Sequence, residues 1–277
     1  MRDYAIVLSN DVQDKDKMLD VCRMAAPFVD AVKIGITSSM KPGVEVFEMA
    51  KKVMSVKDAV GKEDSGVKVL ADYKVADIGF YNDKKGEWQG TNEKIVRVLS
   101  EAGADFITCH TIVGISSIQE CVETAHKYGS GVFTLPFMTH KGAELIFYHP
   151  INKEYTKQVL EKNGFGAMLG EVDRCETMCD LILAIGGYVG VDGFIGPANN
   201  PEVLKRYREF TQKPLWTPGI GRQDKSGRDL EQQLKDWAKI VGPNSGAIIG
   251  SAIYGADDPA AAAKEIMEIR DRVVSGL

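Results

Sequence analysis

The segment DFITCHTIVGISSIQECVETAHKYGSGVFTLPF, residues 105–137, is decisive for the fold. Its two ends, DFITCHT and GVFTLPF, are short apolar runs with β-branched and aromatic residues, which is typical of buried strands. Between them, ISSIQECVETAHKYG has apolar residues at helical spacing and ends at a glycine, as helices often do. A strand, a crossover helix and a second strand predict a parallel β-sheet.

The same alternation of strand and helix runs along the whole chain of 277 residues and occurs eight times. Eight such units predict an α/β fold, a (β/α)8 TIM barrel. An open, doubly wound sheet is the alternative, and it is less favoured because no G-x-G-x-x-G motif follows the first strand. The other predicted strands are YAIVLS (4–9), AVKIGI (31–36), VKVLADY (67–73), VDGFIGP (191–197), PLWTPGIG (214–221) and GAIIGSAIY (246–254).

The length exceeds that of a typical barrel, which has about 250 residues. The surplus falls in two polar insertions, GFYNDKKGEWQG (79–90) after the third strand and residues 147–175 between the fifth and sixth strands. We therefore expect a single catalytic domain over residues 1–277, a barrel with two insertions, and no second domain.

The composition narrows the classes of function. Lys and Arg number 34 against 39 Asp and Glu, for a net charge of -5, which disfavours general binding to nucleic acids or anionic membranes. No apolar run approaches the ~20 residues that a membrane span needs. The odd number of cysteines, 5, suits a reducing compartment, so we expect a cytoplasmic protein.

Charged residues gather where the first three strands end. Asp11 ends the first strand, Lys33 lies in the second, and the run DYKVAD supplies Asp72, Lys74 and Asp77 at the end of the third. In an extended segment Asp72 and Lys74 point to the same side, and mutual attraction keeps each group charged. This array suits a reaction that forms and then protonates a carbanion without a metal or organic cofactor. A structural salt-bridge network at the barrel rim would show the same pattern.

Glycine-rich strand ends give a second signal. TPGIGRQ (217–223) and IIGSAIYG (248–255) end the seventh and eighth strands, where barrels often bind phosphate through backbone N–H groups. Arg222 adds a cation there, although glycines at strand ends are also ordinary turn residues. His110 is interpreted as a structural residue of the rim. Thr139 is equally consistent with a helix N-cap and with a ligand contact.

These segments together resemble the orotidine 5'-phosphate decarboxylase family, in its archaeal type. The matching motifs are AVKIG, LADYKVADI, TNEKI, MTHKGAE, TPGIG and IIGSAIY followed by DDPAAAA, in that order over nearly the whole chain. The resemblance implies a cofactor-free, metal-free TIM-barrel enzyme that converts orotidine 5'-monophosphate to uridine 5'-monophosphate and CO2. This is the last step of de novo pyrimidine biosynthesis, and the family implies a homodimer.

The resemblance also implies roles for individual residues. Lys74 corresponds to the lysine that protonates C6 after CO2 leaves, Asp72 to the carboxylate placed against the substrate carboxylate, and Lys33 to the lysine that orients this aspartate and the ribose hydroxyls. Asp77, with Ile78 and Thr91, corresponds to the residues that enter the partner subunit's site. Further substrate contacts are expected at Asp11, Thr139, Pro218, Gly219, Arg222, Gln223, Gly250 and Ser251.

Three features depart from the family pattern. Ser251 stands where the family has its phosphate-binding arginine, and we expect Arg222 to replace that charge, with Lys225 or Arg228 as alternatives. The insertion 79–90 separates Ile78 from Thr91 at the expected dimer interface, where the family has only a Pro-rich turn. The motif reads DIG, with Gly79 in place of the usual proline.

Two alternative functions remain open from the sequence. The related magnesium-dependent enzymes 3-keto-gulonate-6-phosphate decarboxylase and hexulose-6-phosphate synthase share D-x-K-x-x-D, and their motif often ends in D-A-G. They carry a glutamate where this chain has Lys33, which argues against them. The other alternative is a paralogue that binds a nucleotide without turning it over. Ser251 and the insertions favour it, while the complete set of Lys33, Asp72, Lys74 and Asp77 argues against it.

Overall fold

Eight parallel strands form a closed barrel in a computed structural model that describes residues 2–35, 48–61, 66–221 and 227–277. Around the barrel the strands follow the order β1-β10-β9-β8-β7-β6-β3-β2, so β1 pairs with both β2 and β10. The predicted (β/α)8 barrel is confirmed, and the open doubly wound sheet is wrong. The strands are β1 Ala5–Asn10, β2 Ala31–Gly35, β3 Lys68–Val75, β4 Tyr81–Asn82, β5 Glu87–Trp88, β6 Phe106–Cys109, β7 Gly131–Thr134, β8 Gly193–Ile195, β9 Leu215–Pro218 and β10 Gly246–Ile249.

Helices cover the outside of the barrel, and several begin at residues that the sequence marks as caps. Asp14, Asn152, Asn200, Asp229 and Asp258 each accept a backbone N–H of the first helical turn that follows them. The helices are α1 Lys15–Ala25, α2 Glu48–Ala59, α3 Thr91–Glu101, α4 Ile115–Lys127, α5 Glu144–Phe147, α6 Lys153–Lys162, α7 Leu169–Val172, α8 Met178–Val189, α9 Pro201–Phe210, α10 Leu230–Val241, α11 Ser251–Tyr254 and α12 Pro259–Ser275.

The barrel interior contains an aromatic cluster. The rings of Phe133 and Trp216 lie 4.6 Å apart between centroids, and Phe106 meets both rings nearly edge-on. Gly193 lies opposite Phe133 in the β7–β8 ladder, and a Cβ at this position would lie 2.3 Å from the Phe133 ring. The large ring on one strand therefore requires a glycine on its neighbour.

The two insertions form local structures of their own. Residues 79–90 contain an antiparallel hairpin, in which β4 pairs with β5 and the rings of Tyr81 and Trp88 pack edge to face. The second insertion, 147–175, carries α6 and α7, and an isolated antiparallel bridge joins Pro150 to Thr177 at its base.

Among the helices that the structure describes, none is both long and apolar enough to cross a lipid bilayer.

Substitution of Gly193 by Ala tests the packing of the barrel interior. The added methyl group must displace the Phe133 ring, and such overpacking costs about 1–3 kcal/mol of unfolding free energy. For a chain of this size we expect Gly193→Ala to lower the melting temperature by a few degrees, at ~2–4 °C per kcal/mol, measured by circular dichroism. Gly187→Ala, in open space on α8, is the matched control and should leave stability unchanged or raise it. Equal melting temperatures for the two variants would contradict this packing.

Candidate active site

A cavity of about 240 Å³ lies at the carboxyl ends of the barrel strands. Charged groups occupy one side of it, and apolar side chains occupy the other. Charged and apolar linings in one cavity suit a ligand with both charged and apolar parts. The lining residues are Ser9, Asp11, Lys33, Asp72, Lys74, Leu135, Phe137, Met138, Thr139, Ile195, Gly196, Pro197, Pro218, Ile248, Gly250, Ser251 and Tyr254.

Asp72 is the centre of the charged wall. Lys33 Nζ lies 3.1 Å from its Oδ2, Lys74 Nζ lies 2.8 Å from its Oδ1, and the Thr108 hydroxyl donates to Oδ1 at 2.8 Å. Lys33 Nζ is also 3.7 Å from Asp11 Oδ1, and Ser9 donates to the other Asp11 oxygen. The strand register produces this arrangement, because Ser9 lies opposite Lys33 in the β1–β2 ladder and Gly35 lies opposite Asp72 in the β2–β3 ladder.

This environment keeps the charges separated. Burial alone would raise the pKa of Asp72, but the charges of Lys33 and Lys74, with the hydrogen bonds from Lys74 and Thr108, lower that pKa to about 2. Burial opposes the charge of Lys33, yet Asp72 and Asp11 raise its pKa above the ordinary value. The cavity therefore holds an ionised carboxylate beside protonated lysine at neutral pH.

Lys74 has an unusual backbone. Its φ is 52°, in the left-handed region that side chains other than glycine seldom adopt, and the β3–β6 register shifts between Ala71 and Val75. The expectation of a regular extended segment through DYKVAD is therefore wrong at Lys74, because a bulge interrupts the strand. The Lys74 N–H donates to the Thr108 hydroxyl, so Thr108 fixes both the bulge and Asp72.

Other predicted residues lie at the same cavity. Pro218, Gly250 and Ser251 line it, as does Thr139. Thr139 is not a helix N-cap, because α5 begins at Glu144 with Ala143 as its cap. The other contacts predicted in this region are Gly219, Arg222, Gln223 and Arg228.

Gly219 is not among the lining residues. Its φ is 113°, and a Cβ there would lie 3.1 Å from the Asn199 nitrogen, so it is required by the turn. Arg228, an alternative phosphate ligand, forms an ion pair with Asp236 at 3.1 Å. Arg222, Gln223 and Lys225 lie outside the described residues.

Comparisons with known proteins agree with this geometry. A model of the orotidine 5'-phosphate decarboxylase / HUMPS family matches residues 5–266. This chain belongs to that family. An orotidine 5'-phosphate decarboxylase of Methanosphaera stadtmanae is 28% identical over 267 residues, covering 95% of this chain and 95% of that protein. The Methanocaldococcus jannaschii enzyme is also 28% identical over 267 residues, covering 96% and 99% of the two chains.

Solved structures place the fold in the same group. The M. jannaschii orotidine 5'-monophosphate decarboxylase complexed with the inhibitor BMP matches with a TM-score of 0.69 and 26% identity, covering 96% of this chain and 98% of the other. The predicted family resemblance is confirmed.

Three predicted site residues do not line the cavity of their own chain. Asp77, Ile78 and Thr91 are absent from its lining, and Ile78 is 70% exposed. Asp77 is half-buried, and its carboxylate accepts the N–H of Ile78. These positions are those expected to serve a partner subunit.

Several residues of the site have no motif to mark them in the sequence pattern. Ser9 lies within the apolar run of β1 and Thr108 within that of β6, so both count as strand residues in the sequence. Their polar side chains within apolar strands were the available signal, because buried hydroxyls need partners. Phe137, Met138 and Tyr254 line the cavity from loops and α11, and no local pattern marked them.

Acid titration tests the charge state of Asp72. Its folded-state pKa is about 2, against 3.8 ordinarily, so the unfolded chain takes up the proton first as the pH falls. The stabilising effect is complete above that ordinary value and is lost as the pH falls through the folded pKa. We expect the unfolding free energy of wild type relative to Asp72→Asn to fall by about 1 kcal/mol between about pH 5 and pH 3, measured by urea unfolding.

Asp83→Asn, exposed on the hairpin, controls for the loss of one charge. A wild-type minus Asp72→Asn difference that stays constant over this pH range would contradict a lowered pKa.

Proposed function

We propose that this chain decarboxylates orotidine 5'-monophosphate to uridine 5'-monophosphate and CO2, the last step of de novo pyrimidine biosynthesis. The observation that supports this most directly is the buried Asp72 held between the ammonium groups of Lys33 and Lys74. The catalytic unit is the whole barrel, residues 1–277, acting as one domain in the cytoplasm.

The chemistry follows from where the charges lie. The bond between C6 and the carboxylate carbon breaks, CO2 leaves, and the electron pair remains on C6 as a carbanion. Lys74 stabilises that developing negative charge and transfers a proton from its ammonium group to C6, which gives the product and a neutral amine. Asp72 lies against the carboxylate that leaves, and Lys33 orients Asp72 and the ribose hydroxyls with Asp11.

The rest of the cavity fits the other parts of the nucleotide. The apolar side chains of Leu135, Ile195 and Ile248 would face the pyrimidine and keep water away, which strengthens the charge interactions. Thr139 and Pro218 contact the base. The phosphate binds where β9 and β10 end, at Gly250 and Ser251, which line the cavity, with Gln223 and the charge of Arg222. Gly219 acts there through its backbone, since its turn leads from β9 to these residues.

The magnesium-dependent relatives fit less well. Lys33 places its ammonium 3.1 Å from the Asp72 oxygen that a divalent ion would need, and like charges repel. Gly79, the residue that favoured those relatives, has a packing cause: a Cβ there would lie 2.3 Å from the Ser116 oxygen. The motif DIG therefore gives no support to that alternative.

A homodimer with shared sites is part of this proposal. The exposed apolar side chains of Ile78, Phe80, Tyr81, Ile112 and Val113 offer a surface for a second copy. In that dimer, Asp77, Ile78 and Thr91 of one subunit complete the site of its partner.

Substitution of Lys74 by Ala tests the proposed proton donor. We expect loss of CO2 release from orotidine 5'-monophosphate, with kcat reduced by at least about a thousandfold, because both proton transfer and charge stabilisation disappear. Decarboxylation is followed by ultraviolet absorbance. Lys235→Ala, exposed on α10, is the matched control and should retain full activity. Wild-type turnover by Lys74→Ala would refute the assignment.

An assay with and without a metal chelator, together with a nucleotide-binding measurement, distinguishes the decarboxylase from the magnesium-dependent lyases and the nucleotide-binding paralogue. Activity that survives exhaustive chelation agrees with the cofactor-free decarboxylase, and activity restored only by magnesium supports the related lyases. Binding of uridine 5'-monophosphate by wild type, measured by calorimetry, with no turnover supports a nucleotide-binding paralogue.

Substitution of Arg222 by Ala tests the phosphate contact. A charge-assisted hydrogen bond to phosphate contributes about 1.5–3 kcal/mol, so KM should rise by about ten- to a hundredfold. Ser251→Arg in the same chain returns the cation to the position that the family uses, and we expect it to recover part of the lost affinity. Arg228→Ala is the control, and it should leave KM unchanged because Arg228 is paired with Asp236. An unchanged KM for Arg222→Ala would assign the contact elsewhere.

A further inference from the structure

The insertion 79–90 creates a positional problem for the proposed shared site. Asp77 and Ile78 precede it and Thr91 follows it, so a short turn no longer links these three residues. A longer connection leaves their relative positions free unless tertiary contacts fix them. The structure contains such contacts at the base of the hairpin.

Asn92 and Ser117 hold the backbone of Asp77. The Asp77 N–H donates to Asn92 Oδ1 at 3.0 Å, and Asn92 Nδ2 donates to the Asp77 carbonyl at 2.8 Å. The Ser117 hydroxyl donates to the same carbonyl at 2.5 Å, and Asn92 Nδ2 also lies 3.0 Å from the Ser117 hydroxyl. Asn92 is 0% exposed and Ser117 is 3% exposed, so water does not compete for these bonds.

Glu120 holds the other side of the hairpin base. The N–H of Gly90 donates to its carboxylate at 2.6 Å, and a Cβ on Gly90 would lie 2.5 Å from that carboxylate. Burial raises the pKa of Glu120 above its ordinary value, and hydrogen bonds from the backbone N–H groups of Gly90, Phe80 and Glu93 offset only part of that rise. This contact joins the start of α3 to α4, which keeps Asn92 beside Ser117.

We propose that Asn92 and Ser117 are positioning residues for the decarboxylation, which place Asp77 for the partner subunit's active site across the hairpin insertion. The inference rests on the proposed function and on its shared dimeric site. Asn92 matches the Asp77 backbone as both donor and acceptor, which fixes the direction of the segment as well as its location. Neither residue lines the cavity of its own chain.

Complementation between two defective chains isolates this effect. A heterodimer of Lys74→Ala and Asp77→Ala chains contains one intact site, built from Lys74 of the second chain and Asp77 of the first. The purified heterodimer, with one working site of two, should have about half of wild-type activity per dimer, against about a quarter for the unsorted mixture. The two chains are co-expressed with different tags and the heterodimer is purified.

Asn92→Ala is then placed on either chain in turn. On the Lys74→Ala chain, which donates Asp77 to the intact site, we expect kcat to fall by about ten- to a hundredfold. On the Asp77→Ala chain it should have little effect, because that chain's donated residue is already absent. A purely structural role would lower activity equally in both arrangements, and that result would overturn the proposal.

Ser117→Ala provides a second, milder variant in case Asn92→Ala destabilises the chain. It should lower kcat by a smaller factor on the Lys74→Ala chain and leave kcat nearly unchanged on the Asp77→Ala chain. Ser100→Ala is the matched control, since this buried serine on α3 has no hydrogen-bond partner for its hydroxyl in the described part of the chain. Symmetric effects of Ser117→Ala would also overturn the proposal.

The activities of wild type and of the Lys74→Ala/Asp77→Ala heterodimer, without a substitution at Asn92, distinguish failure of this inference from failure of the proposed function. Inactive wild type overturns the proposed function. Active wild type with no complementation between Lys74→Ala and Asp77→Ala leaves the activity standing and overturns both the shared site and the positioning role.

Discussion

A buried carboxylate between two ammonium groups is the constraint on which the site depends. Asp72 would lose its charge on burial without Lys33, Lys74 and Thr108. These partners lie on β2, β3 and β6, three adjacent strands of the barrel. Because a shift of one residue in any ladder turns side chains to the opposite face, the register of the barrel is itself part of the active-site geometry.

The backbone at Lys74 shows the cost of that geometry. A left-handed conformation at a residue other than glycine is unfavourable by about 1–2 kcal/mol. The ion pair with Asp72 and the Thr108 hydrogen bond hold Lys74 there. A regular strand would give the lysine a different direction, so the bulge serves to aim the ammonium group, and stability is traded for orientation.

Local patterns predicted the barrel, the two insertions and the charge array, because strand and helix periodicity and charged strand ends are read along the chain. They did not predict the left-handed Lys74 or the contribution of Thr108, since both depend on pairing between β3 and β6. Gly79 illustrates the limit most clearly. In the motif Gly79 marks a departure from the family pattern, whereas in the structure a close contact with the backbone of Ser116 on α4 requires a glycine there.

The hairpin insertion adds extra chain directly after Asp77 and Ile78, two residues of the proposed shared site. Lengthening a loop costs little free energy, since the closure entropy grows only with the logarithm of length. The greater risk is loss of position, because an error of about 1 Å in a catalytic group can reduce the rate a hundredfold. Buried hydrogen bonds are directional, so Asn92 and Ser117 define where Asp77 lies whatever the hairpin does beyond them. An insertion is harmless to the chemistry when both of its ends are fixed independently.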